Sequence, residues 1–184
     1  TKVKDACSSN HHTRVLNAAG VIAVEEWDSS MKLTDALLGE HAVLYELFDF
    51  VRDTVTKSDD LRELRSAVTV LERLLISHAR AEEALLFPAL EPHLGEMGPL
   101  AVMHAEHREL EDLLAAAGQA DDAEAVKSII SRLLNVAHDH FHKEEQILFA
   151  MSRQCLSEDA LSTLGDQWAA RRNVIIDGQG CGAR

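Results

Sequence analysis

Two stretches of this chain repeat the same chemistry at a fixed distance. HARAEEALLFPAL from His78 aligns with HFHKEEQILFAM from His140, pairing His78 with His140, Glu82 with Glu144, Glu83 with Glu145 and Phe87 with Phe149 at a constant offset of 62 residues. The segments before them correspond too, GEHAVLYEL around His41 with AEHRELEDL around His107, at an offset of 66. Such a repeat restricts the chain to two similar helical hairpins, each carrying one His and then a His-x-x-x-Glu. Side chains four apart in a helix share a face, so each motif can set an imidazole and a carboxylate on one metal ion. Hairpins facing each other across a pseudo-two-fold would bring Glu82 and Glu144 to the centre, each bridging two ions while the histidines ligate terminally.

A single inward histidine is more often a satisfied core residue than a ligand. Here four histidines and two glutamates stand at matching places inside otherwise apolar faces. Burying that many ionisable groups unpaired would cost on the order of several kcal/mol each, which a shared cation would offset. Glu83 and Glu145 lie about 100° round the helix from their neighbours, and are expected as exposed groups or as partners of imidazole N–H.

Helical periodicity runs through most of the chain. Leu33, Leu37, Leu44, Leu47, Phe48 and Val51 mark a first helix, with Thr34 as a candidate N-cap. Leu61, Leu64, Val68, Leu71 and Leu75 lead a second towards His78, ending around Pro88 to His93. Leu100, Met103, His107, Leu110, Leu113 and Leu114 mark a third, closed at Gly118, and a fourth runs from Asp121 or Asp122 to about Met151. A shorter helix is expected over about Glu158 to Val174. The short connections make sequential helices antiparallel neighbours. The reading is an all-α, up-down-up-down four-helix bundle over residues 33–152, preceded by an N-terminal extension (1–32) and followed by a C-terminal helix and flexible tail (153–184). The tail from Asp177, with its three glycines, reads as disordered.

Composition narrows the partners. Hydrophobic residues make up 46% but aromatics only 4%, with Leu and Ala dominant, which favours helices over sheets. A net charge of -13 argues against nucleic acid or an anionic membrane surface and leaves small molecules or proteins. Cys7, Cys155 and Cys181 are odd in number and widely spaced, so neither a disulfide framework nor a thiolate site is indicated, and a cytoplasmic setting is expected. No apolar run approaches the roughly 20 residues needed to span a bilayer, and no signal-peptide pattern opens the sequence.

The pattern His41, His78-x-x-x-Glu82, His107, His140-x-x-x-Glu144, with EExxLF after both motifs, resembles the hemerythrin-like, or HHE cation-binding, family across roughly Leu33 to Met151. The resemblance implies a four-helix bundle around an oxo- or hydroxo-bridged centre of two iron ions that binds dioxygen, nitric oxide or hydrogen peroxide. It assigns His41, His78, Glu82, His107, His140 and Glu144 as the metal ligands. Two features depart from hemerythrin itself: the third helix reads His104-x-x-His107, and the fourth-helix motif ends in Glu144. That is closer to a repeated bacterial type than to the oxygen carrier. An i,i+3 step leaves His104 about 60° from coincidence with His107, so it is a candidate fifth histidine. Tyr45, four residues after His41, is a candidate ligand or gating group, with a hydrogen-bonded core ring as the alternative.

The other histidines carry less. His138 and His142 point about 200° from His140 and are expected in solvent, His93 in a turn, and His11 and His12 as surface metal binders at most. Met103, Phe48, Phe87, Phe141 and Phe149 read as packing, some of it the dry wall of a ligand pocket. Gly39, inside the first helix, suggests close helix approach near His41.

Imidazole with carboxylate suits iron, zinc, manganese or copper, and ligand type alone does not choose among them. The resemblance chooses iron. Only two metal-binding carboxylates are expected, so the centre is imidazole-rich and cationic, suited to small anionic ligands more than to high-valent iron that attacks C–H bonds. No GxGxxG or Walker loop is present, so electrons must come from an external donor. The expected function is a di-iron protein that binds or reacts with small oxidants, with peroxide-decomposing (catalase-like) or nitric-oxide-handling activity. The alternatives are an iron- or redox-sensing module acting through a protein partner, and metal storage.

Overall fold

The computed structural model describes residues 14–16, 22–24, 31–95 and 97–175. His11, His12, Cys7, Cys181 and the tail expected to be disordered lie outside the described residues. Strand β1 (Arg14–Leu16) pairs antiparallel with β2 (Ile22–Val24), Arg14 opposite Val24 and Leu16 opposite Ile22. Both strands lie in the N-terminal extension, outside the residues read as the helical bundle. These strands belong to a unit of their own, separate from the helical unit that begins at Met31.

The described residues of that second unit fold into five helical stretches joined by short breaks. They are α1 (Leu33–Lys57), α2 (Leu61–Ala81) continuing through a π turn into α3 (Phe87–Leu94), α4 (Pro99–Gln119), α5 (Ala123–Lys143) continuing through a second π turn into α6 (Phe149–Cys155), and α7 (Glu158–Arg172). Side chains cap three helix starts: Asp60 accepts from Arg62 N–H, Asp122 from Ala125 N–H and Ser157 from Ala160 N–H. Thr34 does not cap. The helix starts at Leu33, after Lys32, and leaves Thr34 buried inside the first turn. Asn173, left-handed at φ 54°, closes α7.

α1 packs on α2, α5 and α7, while α4 packs on α2 and α5. Two apolar clusters fill the interior. One is built on Leu44, Phe48, Val51, Leu71, Leu110 and Phe141, the other on Leu33, Leu37, Leu86, Phe87, Met103 and Phe149. His41, His78, Glu82, His107, His140 and Glu144 fall between them, all at most 3% exposed. Six ionisable groups therefore form one polar layer within an apolar interior.

The two π turns, Glu82–Leu86 and Glu144–Leu148, were not foreseen. In each, a phenylalanine N–H reaches back five residues, Phe87 to Glu82 and Phe149 to Glu144. Pro88 is not the cause, because the matching position in the second turn is Ala150. Each turn opens at the glutamate of a His-x-x-x-Glu, and π turns in helices are frequent at functional sites.

Gly39 is not a point of close approach: a Cβ there would meet nothing within 4 Å. Gly165 is. A Cβ there would lie 1.8 Å from the Met31 carbonyl oxygen and 2.9 Å from its carbon, so α7 seats against the chain entering α1 only because residue 165 has no side chain. Gly165→Ala is expected to cost about 1–3 kcal/mol or more, as overpacking against backbone does, read as a lowered urea midpoint at unchanged slope.

Candidate metal centre

The structure gathers the six residues into two groups that share their carboxylates. His41, His78, Glu82 and Glu144 offer ligand atoms all within 4.8 Å of one another, and so do His107, His140, Glu82 and Glu144. Glu82 Oε1 lies 3.5 Å from His78 Nε2, and its Oε2 lies 3.4 Å from His107 Nε2. Glu144 is placed likewise, Oε2 at 3.3 Å from His41 Nε2 and Oε1 at 3.3 Å from His140 Nε2. Each carboxylate thus turns one oxygen to each group.

Each imidazole is held from behind. Nδ1 of His41 lies 2.9 Å from Glu145, Nδ1 of His78 2.8 Å from Glu40, Nδ1 of His107 2.9 Å from Glu83, and Nδ1 of His140 2.9 Å from Glu106. A carboxylate at Nδ1 fixes the proton there and leaves the Nε2 lone pair facing inward. The Nε2 atoms of His41 and His78, 3.0 Å apart, and of His107 and His140, 3.1 Å apart, are therefore opposed lone pairs rather than hydrogen bonds. All four oxygens of Glu82 and Glu144 are buried without a hydrogen-bond partner. Four imidazole nitrogens and four carboxylate oxygens thus converge, and their ionised carboxylates and inward lone pairs are all acceptors. Such a set fits cations, with ligand atoms spaced as they would be about 2.0–2.2 Å from a central ion.

Ionisation follows from this crowding. Burial pushes His41 down to about 4, and His78 beside it adds to the effect. Burial likewise lowers His140, whereas in His107 it is outweighed by Glu82 and Glu83, which raise it. Burial, then the neighbouring Glu82, raises Glu144 well above the usual carboxylate range. Burial would raise Glu82 too, but His78 and His107 outweigh it and hold its carboxyl low. Two carboxylates in one dry layer cannot both ionise cheaply without a cation.

The outer carboxylates are only half foreseen. Glu83 and Glu145 reach imidazole N–H groups as the helical phase suggested, but across the repeat: Glu83 serves His107 and Glu145 serves His41. Glu40 and Glu106 were missed, although a Glu directly precedes both His41 and His107 in the repeat. Their supports differ. Glu106 is bonded by Lys143, whereas Glu40 receives Trp168 Nε1 at 3.0 Å and Arg172 Nε at 2.6 Å from α7. Arg172 also bonds the Ser77 hydroxyl at 2.6 Å and carbonyl at 3.0 Å, tying α7 to the turn that carries His78.

His104 and Tyr45 are not brought into either group. His104 has a side chain 46% exposed, 3.9 Å from Glu83, with its ring edge-on to Phe87, because the 60° offset turns it out of the polar layer. Tyr45 donates its hydroxyl to Glu145 at 3.1 Å, and burial together with that carboxylate pushes its phenol up to about 12. His138 and His142 are exposed, and His93 lies in the last turn of α3. Phe141 stacks on His41 at 3.9 Å and Phe87 on His107 at 5.4 Å, so aromatic packing also shields the centre from water.

The family model of the hemerythrin HHE cation-binding domain matches residues 32–152. Among curated proteins, a DNA nickase of Nostoc sp. is 26% identical over 157 residues, covering 83% of this chain and 43% of its own length. The iron-sulfur cluster repair protein YtfE of Enterobacter sp. is 30% identical over 101 residues, 48% of this chain and 46% of the relative. YtfE of Escherichia coli is 30% identical over 99 residues, 47% and 45% respectively. The chain thus spans less than half the length of these relatives. No solved structure matches it. Among the described residues, no helix is long and apolar enough to cross a membrane.

Proposed function

The chain belongs to the hemerythrin HHE cation-binding domain family, and on that premise we propose that it is a cytoplasmic non-haem di-iron protein that binds or reacts with dioxygen, hydrogen peroxide or nitric oxide. Its helices form an up-down-up-down four-helix bundle around the centre, with α7 added outside. The observation that carries this reading is the sharing of Glu82 and Glu144 between two otherwise separate His pairs. A shared carboxylate holds two ions near each other, so one small oxidant can meet both.

His41 and His78 would hold one ion and His107 and His140 the other, with Glu82 and Glu144 shared between the two groups. Glu40, Glu83, Glu106 and Glu145 keep the Nδ1 protons in place, which fixes the ring orientations and makes each Nε2 a better donor to metal. Phe87 and Phe141 exclude water beside the rings. The irons, when bound, supply electron exchange with the oxidant, and an external donor returns electrons to them.

Iron-supplemented protein is expected to contain about two irons per chain, to absorb in the near ultraviolet, and to release oxygen from hydrogen peroxide. One metal per chain, or zinc alone, sinks the two-iron reading. Full iron occupancy with peroxide left untouched sinks the enzymatic reading and keeps the binder. The YtfE relatives favour a second reading, supply of iron for cluster repair. It requires reduced iron to pass to an apo-ferredoxin faster than to solvent, and retention of iron through reduction cycles excludes it.

A further inference from the structure

We propose that the cleft between α1, α2 and α7 is a binding site for a small amphipathic anion, an acyl chain of moderate length ending in a carboxylate. The cleft holds about 520 Å³ and is walled by Ala36, Gly39, Val43, Leu44, Leu74 and Trp168. That volume suits a small organic molecule, for which pockets run to about 300–1,000 Å³. Its walls are largely apolar, and Val43 and Leu74 stand 63% and 45% exposed at its side. Two carboxylates line the cleft, Asp35 and Glu40, and that of Glu40 is already bonded by Trp168, Arg172 and His78.

A groove of about 590 Å³ adjoins the cleft and shares Ser77 and Arg172 with it. Arg73, Arg80 and Arg171 line this groove, with Glu72 as its one lining carboxylate. In a chain with 31 Asp and Glu against 18 Lys and Arg, such a gathering of arginines is out of keeping with the surface as a whole. Among the described residues, Arg73, Arg80 and Arg171 form no ion pair with a side chain. Exposed guanidinium groups beside an apolar trough complement a molecule with a carboxylate at one end and hydrocarbon at the other.

Gly39 gives the cleft a sequence basis. It interrupts a 25-residue helix, where glycine is disfavoured, yet nothing lies within 4 Å of where its Cβ would be. Packing does not require it, and its absent side chain widens the cleft. The second hairpin lacks the same features: Ala105 stands at the place of Gly39 and Glu109 at that of Val43, in the 66-residue register. The site belongs to one half of the repeat, the half that α7 covers. It stands independently of which metal the centre holds.

Trp168 reports directly on occupancy once Trp27 is replaced by Phe. Octanoate, decanoate and dodecanoate, below their micellar concentrations, are expected to shift Trp168 emission saturably, with affinity rising up to about fourfold per added methylene. Decan-1-ol is expected to bind at least tenfold more weakly than decanoate. Gly39→Leu should abolish the shift at unchanged helical circular dichroism. Val43→Glu, at an exposed wall position, should do the same should the leucine variant fail to fold. Arg73→Ser with Arg171→Ser should remove the preference for decanoate over decanol. The proposal is overturned by the absence of a saturable shift, by decanol binding as tightly as decanoate, or by unchanged binding in Gly39→Leu and Val43→Glu.

Discussion

Glu82→Ala and Glu144→Ala are each expected to empty both metal positions, whereas the histidine substitutions empty mainly one. Each carboxylate turns one oxygen to the His41–His78 pair and the other to the His107–His140 pair, so its removal strips a ligand from two ions at once. Iron per chain should fall from about two to near zero, while His78→Ala retains about one. Glu83→Gln and Glu145→Gln remove only the support behind His107 and His41, and are expected to weaken metal about 10–100-fold without abolishing it. His138→Ala and His142→Ala, exposed on the same helix as His140, should change nothing. Metal analysis after dialysis against a weak chelator reads all of these. Equal losses in the His138, His142 and His140 variants would mean that the centre does not lie where the shared carboxylates put it.

Removing the metal should cost the protein more stability than most single substitutions, and Glu144→Gln should reverse the sign of its own effect between the two states. A cation present at about 1,000 times its dissociation constant stabilises the fold by about 4 kcal/mol. Without it, the four buried carboxylate oxygens lack a hydrogen-bond partner and Glu144 is driven towards its neutral form. Glu144→Gln removes the like charge beside Glu82 and adds an N–H donor, so the metal-free variant should unfold at higher urea than metal-free wild type. Metal-loaded, it should be the less stable of the two.

The pH dependence of the metal-free forms follows from opposite shifts. Glu144 is raised above its ordinary value, so its contribution favours the fold below about pH 4.5 and is lost as pH rises through its folded value. His41 is lowered from 6.5 to about 4, so the unfolded chain binds its proton first and stability falls as pH drops through that window. In wild type the two oppose each other between pH 4.5 and 6.5. In Glu144→Gln the histidine effect remains, and the urea midpoint of the metal-free variant should climb more steeply with pH over that range. A metal-free variant less stable than metal-free wild type at pH 7 would show that the two carboxylates do not repel in this layer.

What the sequence by itself determined is what helical phase and an internal repeat can carry. His78 and Glu82, and His140 and Glu144, lie one turn apart in a single helix, so their convergence needs only local geometry. The constant offset then implied that the two halves face each other, and the apolar residues on either side of each motif implied a buried polar layer. The helix start at Asp122, where a side chain caps the backbone, was readable, and the one at Thr34, where no side chain caps the helix, was misread.

Tertiary structure decided everything that depends on which helix faces which. The crossing of Glu83 to His107 and Glu145 to His41 is a relation between helices, invisible to a period counted along one of them. So is the difference between the halves, where Lys143 supports Glu106 and α7 supports Glu40 through Trp168 and Arg172, residues outside the repeat. Residue spacing allowed His104 to approach the polar layer, but helix rotation set by packing turned it outward. The π turns at Glu82 and Glu144 are register changes with no residue that announces them, and the glycine that permits close approach proved to be Gly165, not Gly39. A glycine in a sequence shows only that a side chain is missing, and the neighbour it makes room for is set by the fold.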